Sequence, residues 1–327
     1  MKILITGPDG LLGSNLTREL LAQNFAVKAF ILPGSSSQTL AGLPIERFHG
    51  NILNPDDVMA AMQGCDVVIH AAANTSVWPA RSQKTWQVNY DGTHNILKAA
   101  LHHNISRLVY VSSASAYQPG PKEAPGDEAQ PYTGYKYGLD YVDSKYKAQE
   151  LALQYVREKG LPVVIINPTF MFGEYDSQPS SGRMIIALYE GKVPGYTGGG
   201  KNFVYVRDVA HAIINAITMG RTGECYIAGH TNLYYRELFE IIGRVVGRKP
   251  PGLKIPGLAM KAYGYIGTTA GLLFGRPPAL SHATVRVSCE KQFYSQEKAI
   301  RELNMPQTNI ETAIQSAFDW FKENGYL

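Results

Sequence analysis

The sequence predicts an α/β protein: a doubly wound parallel sheet with helices on both faces, followed by a smaller C-terminal α/β lobe. Three observations carry this. A strand-like run, Lys2-Ile3-Leu4-Ile5, leads into Thr6-Gly7-Pro8-Asp9-Gly10-Leu11-Leu12-Gly13 and then into a helical stripe of Leu12, Leu16 and Leu20. Further short Val/Ile-rich runs recur at 26–32, 45–49, 66–70, 107–112 and 162–166, with helical patterns between most of them. These runs are apolar at nearly every position, as in parallel strands covered on both faces. Beyond residue 168 the rhythm breaks, glycine and proline become frequent, and helices are expected at 208–219, 234–246 and 309–324. The division is therefore 1–168 and 169–327, with 203–219 a candidate for return to the first unit.

The first element sets the chemistry. A strand that turns sharply into a helix needs one glycine at the turn, one where backbone meets a ligand, and one where helix packs on strand. Gly7, Gly10 and Gly13 stand at those places. The helix that follows aims its unpaired N–H groups and positive dipole end at whatever binds there, which suits a dinucleotide pyrophosphate. The bland alternative is a tight turn with no ligand.

Composition narrows the function class. Hydrophobic residues make up 45% of 327, enough for a large core, and a formal charge of +4 is mild. Basic residues are dispersed along the chain, which argues against nucleic-acid binding. Cys65, Cys225 and Cys289 are far apart without metal-ligand spacing, so no metal site is expected and the thiols are read as reduced and buried. No run of ~18 apolar residues occurs. A soluble cytoplasmic enzyme, without stable membrane insertion, is the expectation.

Tyr141-Val-Asp-Ser-Lys145 places a phenol and an ammonium four residues apart on a helix expected over 139–159. A neighbouring ammonium stabilises a phenolate and draws its pKa down toward the working range, so Tyr141 can exchange a proton with an alcohol or ketone oxygen. The alternative is an ordinary surface pair. Tyr132-Thr-Gly-Tyr-Lys136 has the same spacing but follows Pro131 and contains Gly134, which marks a loop. The strand at 107–112 ends in Ser112-Ser113-Ala114-Ser115, where a hydroxyl can hold the reacting oxygen or simply shape a turn. Asn89, within a helix expected over 81–101, is a candidate to hold a water or a backbone carbonyl near the site, the alternative being an exposed helix residue.

Together with His70-Ala71-Ala72-Ala73, Asn89-x-x-Gly92-Thr93 and Asn167-Pro168, these motifs resemble the extended short-chain dehydrogenase/reductase family, also called the NAD-dependent epimerase/dehydratase family. Within it the chain is most similar to the dihydroflavonol reductase-like branch, which includes proteins called hopanoid-associated sugar epimerases. The supporting segments are Ser76-Val-Trp78-Pro-Ala, Gln118-Pro-Gly-Pro, Tyr141 to Glu150 and Phe318 to Gly325. The resemblance implies a Rossmann-type first domain, a nicotinamide cofactor and a Ser-Tyr-Lys mechanism. Ser113 would hold the substrate oxygen, Tyr141 would be the general acid or base, and Lys145 would tune it while contacting the nicotinamide ribose. Cofactor contacts are implied for Gly7, Asp9, Gly10, Leu11, Leu12 and Gly13, for Leu32, Asn51 and Ile52, and for Ala71 to Ala73 and Asn89. Val111, Ser112, Asn167, Pro168 and Thr169 complete that set. Asn74, Ser113, Arg183 and Lys201 are the candidate substrate contacts. A homodimer through helices 81–101 and 139–159 is implied by analogy.

Several positions depart from the family pattern. Neither the carboxylate that reads an NAD ribose nor the arginine that reads NADP follows the second strand, where Ile31-Leu32-Pro33-Gly34 and Ser35 to Ser37 stand. Lys28 and Arg47, the nearest cations, are read as surface charges, and the serine hydroxyls tilt the choice to NADP. Asn51 replaces an adenine-reading aspartate. Lys201 takes the place of one diphosphate-binding arginine, and only Arg286 is at hand for the other, which disfavours a nucleotide sugar because an ammonium lacks the guanidinium fork. The apolar stretch 253–276 is read first as core, with a wall for a greasy substrate, a lipid-facing flap and a dimer surface as alternatives. The sequence thus predicts an NAD(P)-dependent oxidoreductase that interconverts a secondary alcohol and a ketone on a hydrophobic small molecule. An epimerase or dehydratase acting on a nucleotide-linked or lipid-linked sugar with retained NAD, and a non-catalytic dinucleotide-binding regulator, are the alternatives.

Overall fold

Residues 1–327 are described by a computed structural model. In chain order the strands of the larger sheet are β1 (Lys2–Thr6), β2 (Ala26–Ile31), β3 (Glu46–His49), β4 (Val67–His70), β5 (Arg107–Val111) and β6 (Val163–Pro168). After β7 (Phe170–Phe172) and β8 (Gly200–Tyr205) in a smaller sheet, β9 (Cys225–Ala228) returns to the larger one. The larger sheet is parallel throughout, in the order β3-β2-β1-β4-β5-β6-β9. This is a Rossmann-like sheet with flanking helices.

The near-continuous apolar strands have a direct structural reason. Ile3, Ile5, Val109, Val111, Val164 and Ile166 face one core, against the helices Leu11–Ala22 and Val206–Thr218. The alternate residues Leu4, Val68, Leu108, Tyr110, Val163 and Ile165 face a second core, against Pro55–Met62, Gly92–His102 and Asp140–Lys159. Successive side chains of a strand point to opposite faces, so a strand between two helix layers must be apolar on both. Each fully buried Leu, Ile or Val contributes roughly 1.5–3 kcal/mol relative to exposure.

The smaller sheet joins β8 to β7, to β10 (Thr231–Tyr234) and to β11 (Lys291–Gln292), with the helices Tyr235–Val246 and Ile310–Glu323 in the same lobe. The chain re-enters the larger sheet further than 203–219, because Cys225–Ala228 pairs with β6. That short strand is flanked by glycines, which masks it in the sequence.

Four expectations need correction. The helix expected over 81–101 is a short turn, Gln83–Trp86, then a π-helical turn, Gln87–Asp91, then Gly92–His102. Lys28 is buried rather than at the surface, its Nζ 3.4 Å from Glu46 and over the Phe48 ring. All three cysteines are free, but only Cys225 is buried, while Cys65 and Cys289 are half-buried. The stretch read first as core forms the helix Gly257–Phe274, whose large apolar residues other than Met260 face outward.

Candidate active site

The turn after β1 assigns its glycines distinct tasks. Gly7 has φ +67°, and a Cβ there would come within 2.8 Å of Ala72 Cα, so the turn lies directly against the end of β4. A Cβ on Gly13 would collide with the Gly7 carbonyl, which requires glycine where the helix crosses the turn. Gly10 has ordinary extended angles, φ −79° and ψ 172°, and a Cβ there would meet only the Gly7 carbonyl oxygen at 3.8 Å. Its lack of a side chain serves open space above the helix start. No side chain caps that helix, so the N–H groups of the Leu11-Leu12-Gly13 turn are left free to meet an anion. The loop is pinned from behind: Thr39 Oγ1 donates to the Asp9 carbonyl at 3.2 Å and accepts from Ser14 Oγ at 2.8 Å. Nothing in the sequence singled out Thr39.

At the strand ends a buried polar chain fixes the neighbouring loop. Thr93 Oγ1 donates to the Asn89 carbonyl at 2.6 Å, so it must accept from His70 Nε2 at 3.0 Å. His70 Nδ1 is then the acceptor for Thr6 Oγ1 at 2.7 Å, and Thr6 Oγ1 accepts the Ala72 N–H at 3.1 Å. Each hydroxyl has one proton, so the network selects the Nε2–H tautomer. Burial and the nearby Lys145 charge bring His70 down to about 3, which keeps it neutral. Ala71 N–H bonds the Thr6 carbonyl at 3.3 Å and continues the strand pairing. The fully buried His70 at a strand's carboxyl end was visible in the sequence, yet no role was drawn from it.

Asn89 holds backbone rather than standing exposed. Its Oδ1 accepts the Asn74 N–H at 2.8 Å, and its Nδ2 donates to the Asn74 carbonyl at 3.1 Å and to Ser144 Oγ at 2.9 Å. The π turn brings this side chain to the loop that carries Asn74.

Tyr141 and Lys145 lie on the helix Asp140–Lys159, which opens with Asp140 and Asp143 and ends at Gly160 with φ 65°. Ser113 starts a short 3₁₀ turn after β5, its Oγ accepting from Ser115 Oγ at 2.8 Å. Ser113 beside the Tyr141 phenol favours its ionised form, but burial is the larger effect and pushes the phenol above its ordinary value. Burial also brings the Lys145 amine down to about 7. The sequence expected Lys145 to draw the phenol down. Instead, Lys145 Nζ donates to the Val111 carbonyl at 2.5 Å and lies over the Tyr110 ring at 4.7 Å, and desolvation governs both groups.

The strand ends hold the serine loop. Asn167 Nδ2 donates to the Ser113 carbonyl at 2.9 Å and to Gln149 Oε1 at 2.7 Å, and Gln149 donates to Tyr117 at 3.0 Å. Ser112 Oγ and Asn167 Oδ1 are buried without hydrogen-bond partners, beside the same strand ends. Pro168 ends β6, and Thr169 N–H bonds the Ala228 carbonyl at 3.0 Å while its Oγ1 bonds Asn202 at 2.8 Å. The open cradle at Gly10, the uncapped helix and these orphaned polar atoms fit a dinucleotide laid across the strand ends.

The far end of that crevice is less polar. Leu32 is 54% exposed, and Asn51 Oδ1 is engaged with the Leu53 N–H at 3.0 Å. The Ile52 side chain lies where a Cβ on Gly92 would stand, at 2.7 Å. Arg47 is engaged by the Leu40 carbonyl at 2.6 Å. Tyr141 packs with Val77, Ala80 and Val287 around Tyr137, Leu139, Val142 and Ala283. Lys201 is half-buried over the Phe170 ring at 5.1 Å, and burial lowers its amine to about 8. Arg183 is exposed, its Nε donating to the Pro179 carbonyl at 3.2 Å. Tyr132 and Lys136 do not act as a pair: Tyr132 bonds Asp143, and Lys136 bonds Glu290 at 2.8 Å.

Comparison with known proteins agrees with this architecture. The NAD dependent epimerase/dehydratase family model matches residues 3–229. A Synechocystis protein provisionally named dihydroflavonol 4-reductase is 32% identical over 99% of this chain and 95% of its own length. Sterol demethylase protein B of Methylococcus capsulatus is 29% identical over the full length of both. The crystal structure of gox2253 superposes with a TM-score of 0.88 at 30% identity, covering 99% of each chain. The chain therefore belongs to the NAD-dependent epimerase/dehydratase family within the extended short-chain dehydrogenases/reductases, and is a nicotinamide-dependent enzyme of the oxidoreductase or epimerase/dehydratase kind.

Proposed function

We propose that the protein interconverts a secondary alcohol and a ketone on a hydrophobic small molecule, with Ser113, Tyr141 and Lys145 as its catalytic residues. The observation that carries this reading is the Tyr141 phenol with Ser113 beside it, its side chain packed with Val77, Ala80, Leu139 and Val287, near the strand ends that the glycine turn serves. A bound nicotinamide dinucleotide supplies or takes up the hydride. Tyr141 gives its hydroxyl proton to the nascent alkoxide during reduction and removes it during oxidation, a contribution of roughly 10²–10⁴-fold. Ser113 donates to the same oxygen and fixes its position. Lys145, tied to Val111, would hold the nicotinamide ribose, and the Leu11 to Gly13 amides would hold the pyrophosphate. The apolar wall beside Tyr141 excludes water and suits a substrate of low polarity. NADP is favoured over NAD because no carboxylate follows β2 and Ser35 Oγ, three residues beyond Leu32, is buried without a partner.

A self-recycling reaction on an activated sugar has one observation in its favour, the half-buried Lys201 without a carboxylate partner. The two readings separate on denaturing freshly purified protein and identifying what it releases. Reversible binding of NADPH by protein that releases no dinucleotide is the expected result. Near-stoichiometric release of tightly held NAD would overturn the reductase reading in favour of the recycling one.

A further inference from the structure

We propose that the helix Gly257–Phe274 is an in-plane anchor that seats this protein on a bilayer surface rich in anionic lipid. The helix is packed inside out. Its small residues face the protein: a Cβ on Gly264 would come within 2.9 Å of Val285 Cγ2, and one on Gly271 within 2.9 Å of the Trp78 ring. Apart from Met260, its large apolar residues face away, with Leu258 82%, Ile266 69%, Leu272 68%, Leu273 75% and Phe274 76% exposed. A helix at a water-facing surface carries the opposite pattern, with large apolar residues inward. No helix is long and apolar enough to cross a membrane, so the outward face suits a helix lying in the lipid interface, where Tyr263 and Tyr265 can sit at headgroup depth.

Charge selects the partner. Residues 241–289 contain seven Lys and Arg and no Asp or Glu, whereas the whole chain is only +4. The basic residues are spread evenly along the sequence, but the acids are missing here. Lys249 and Lys254 before the helix, Lys261 on it and Arg276 just past it are exposed, with no carboxylate within ion-pair distance. A second copy would bring cations against cations, while anionic headgroups neutralise them. The anchor adjoins the catalytic wall, because Ala283, on the helix His282–Ser288 that packs against it, belongs to the apolar cluster around Tyr141. It holds whichever reaction the site performs.

The test is flotation of the intact protein with vesicles of phosphatidylcholine and phosphatidylglycerol in roughly equal amounts, against pure phosphatidylcholine. The wild type is expected to float with the anionic vesicles at least about tenfold more than with neutral ones, and to come off as salt rises. The triple variant Leu272→Ser, Leu273→Ser, Phe274→Ser, altered only at exposed positions, should lose flotation while still binding dinucleotide. Lys254→Glu with Lys261→Glu should weaken it. Absence of wild-type flotation, or equal flotation of the triple variant, would overturn the proposal. So would a wild-type dimer that ignores vesicles and is dissolved by the triple variant, since a second copy would then cover the face.

Discussion

Asn89 grips the backbone of Asn74 from both sides, Oδ1 on its N–H at 2.8 Å and Nδ2 on its carbonyl at 3.1 Å. Both groups belong to the loop leaving β4, so one side chain sets the approach to Tyr141. Asn89→Ala leaves two backbone groups unpaired, and should cost about 1–3 kcal/mol of stability. It should also raise KM more than it lowers kcat. Urea unfolding alongside steady-state kinetics checks both.

Gly10 and Gly13 separate ligand space from packing. Gly10→Ala fits its φ of −79° and meets no close neighbour, so the fold should keep its stability within about 1 kcal/mol. Dinucleotide affinity should fall at least about thirtyfold, roughly 2 kcal/mol, because the new methyl fills the cradle. Gly13→Ala should instead disrupt folding, since its Cβ would collide with the Gly7 carbonyl. Thermal unfolding and fluorescence titration distinguish the two.

His70 makes stability depend on acid. It is neutral in the fold down to about 3, while the unfolded chain protonates near 6.5. The unfolded state therefore gains protons that the folded state refuses, and stability falls as pH drops through that window. Between pH 6.5 and about 5 the loss should be roughly 2 kcal/mol. His70→Phe should show a smaller slope in unfolding experiments across the same range.

Lys145 has the complementary effect at higher pH. Its amine titrates near 7 when folded and near 10.5 when unfolded, so burying it costs most at pH 7 and below. Lys145→Met should stabilise the ligand-free protein by about 1–3 kcal/mol at pH 7 after loss of the Val111 bond, and the gain should vanish toward pH 10.5. Turnover should fall sharply. Urea unfolding at several pH values reads the difference.

Much of this was legible in the sequence, and the reasons differ by element. The strands were readable because Leu4 and Ile5 face different cores and both must be apolar. The Gly7, Gly10 and Gly13 spacing located the turn, and four-residue spacing put Tyr141 and Lys145 on one helix face. Helical periodicity could not reveal the π turn at Asn89, because one extra residue in one turn leaves the apolar stripe almost intact. The Lys145 effect on Tyr141 was misread because sequence gives proximity but not desolvation. The outward face of Gly257–Phe274 did have a signal: Gly264, Gly267 and Gly271 recur at three and four residues, a small-residue stripe that leaves the large apolar residues on the other side.

The most direct measurement follows NADPH absorbance with a panel of hydrophobic ketones, for wild type and Tyr141→Phe, with NADPH affinity measured in parallel. The wild type should consume NADPH with a member of the panel, and the variant should be at least about a hundredfold slower at nearly unchanged affinity. Comparable turnover by Tyr141→Phe would contradict the proposed role of Tyr141.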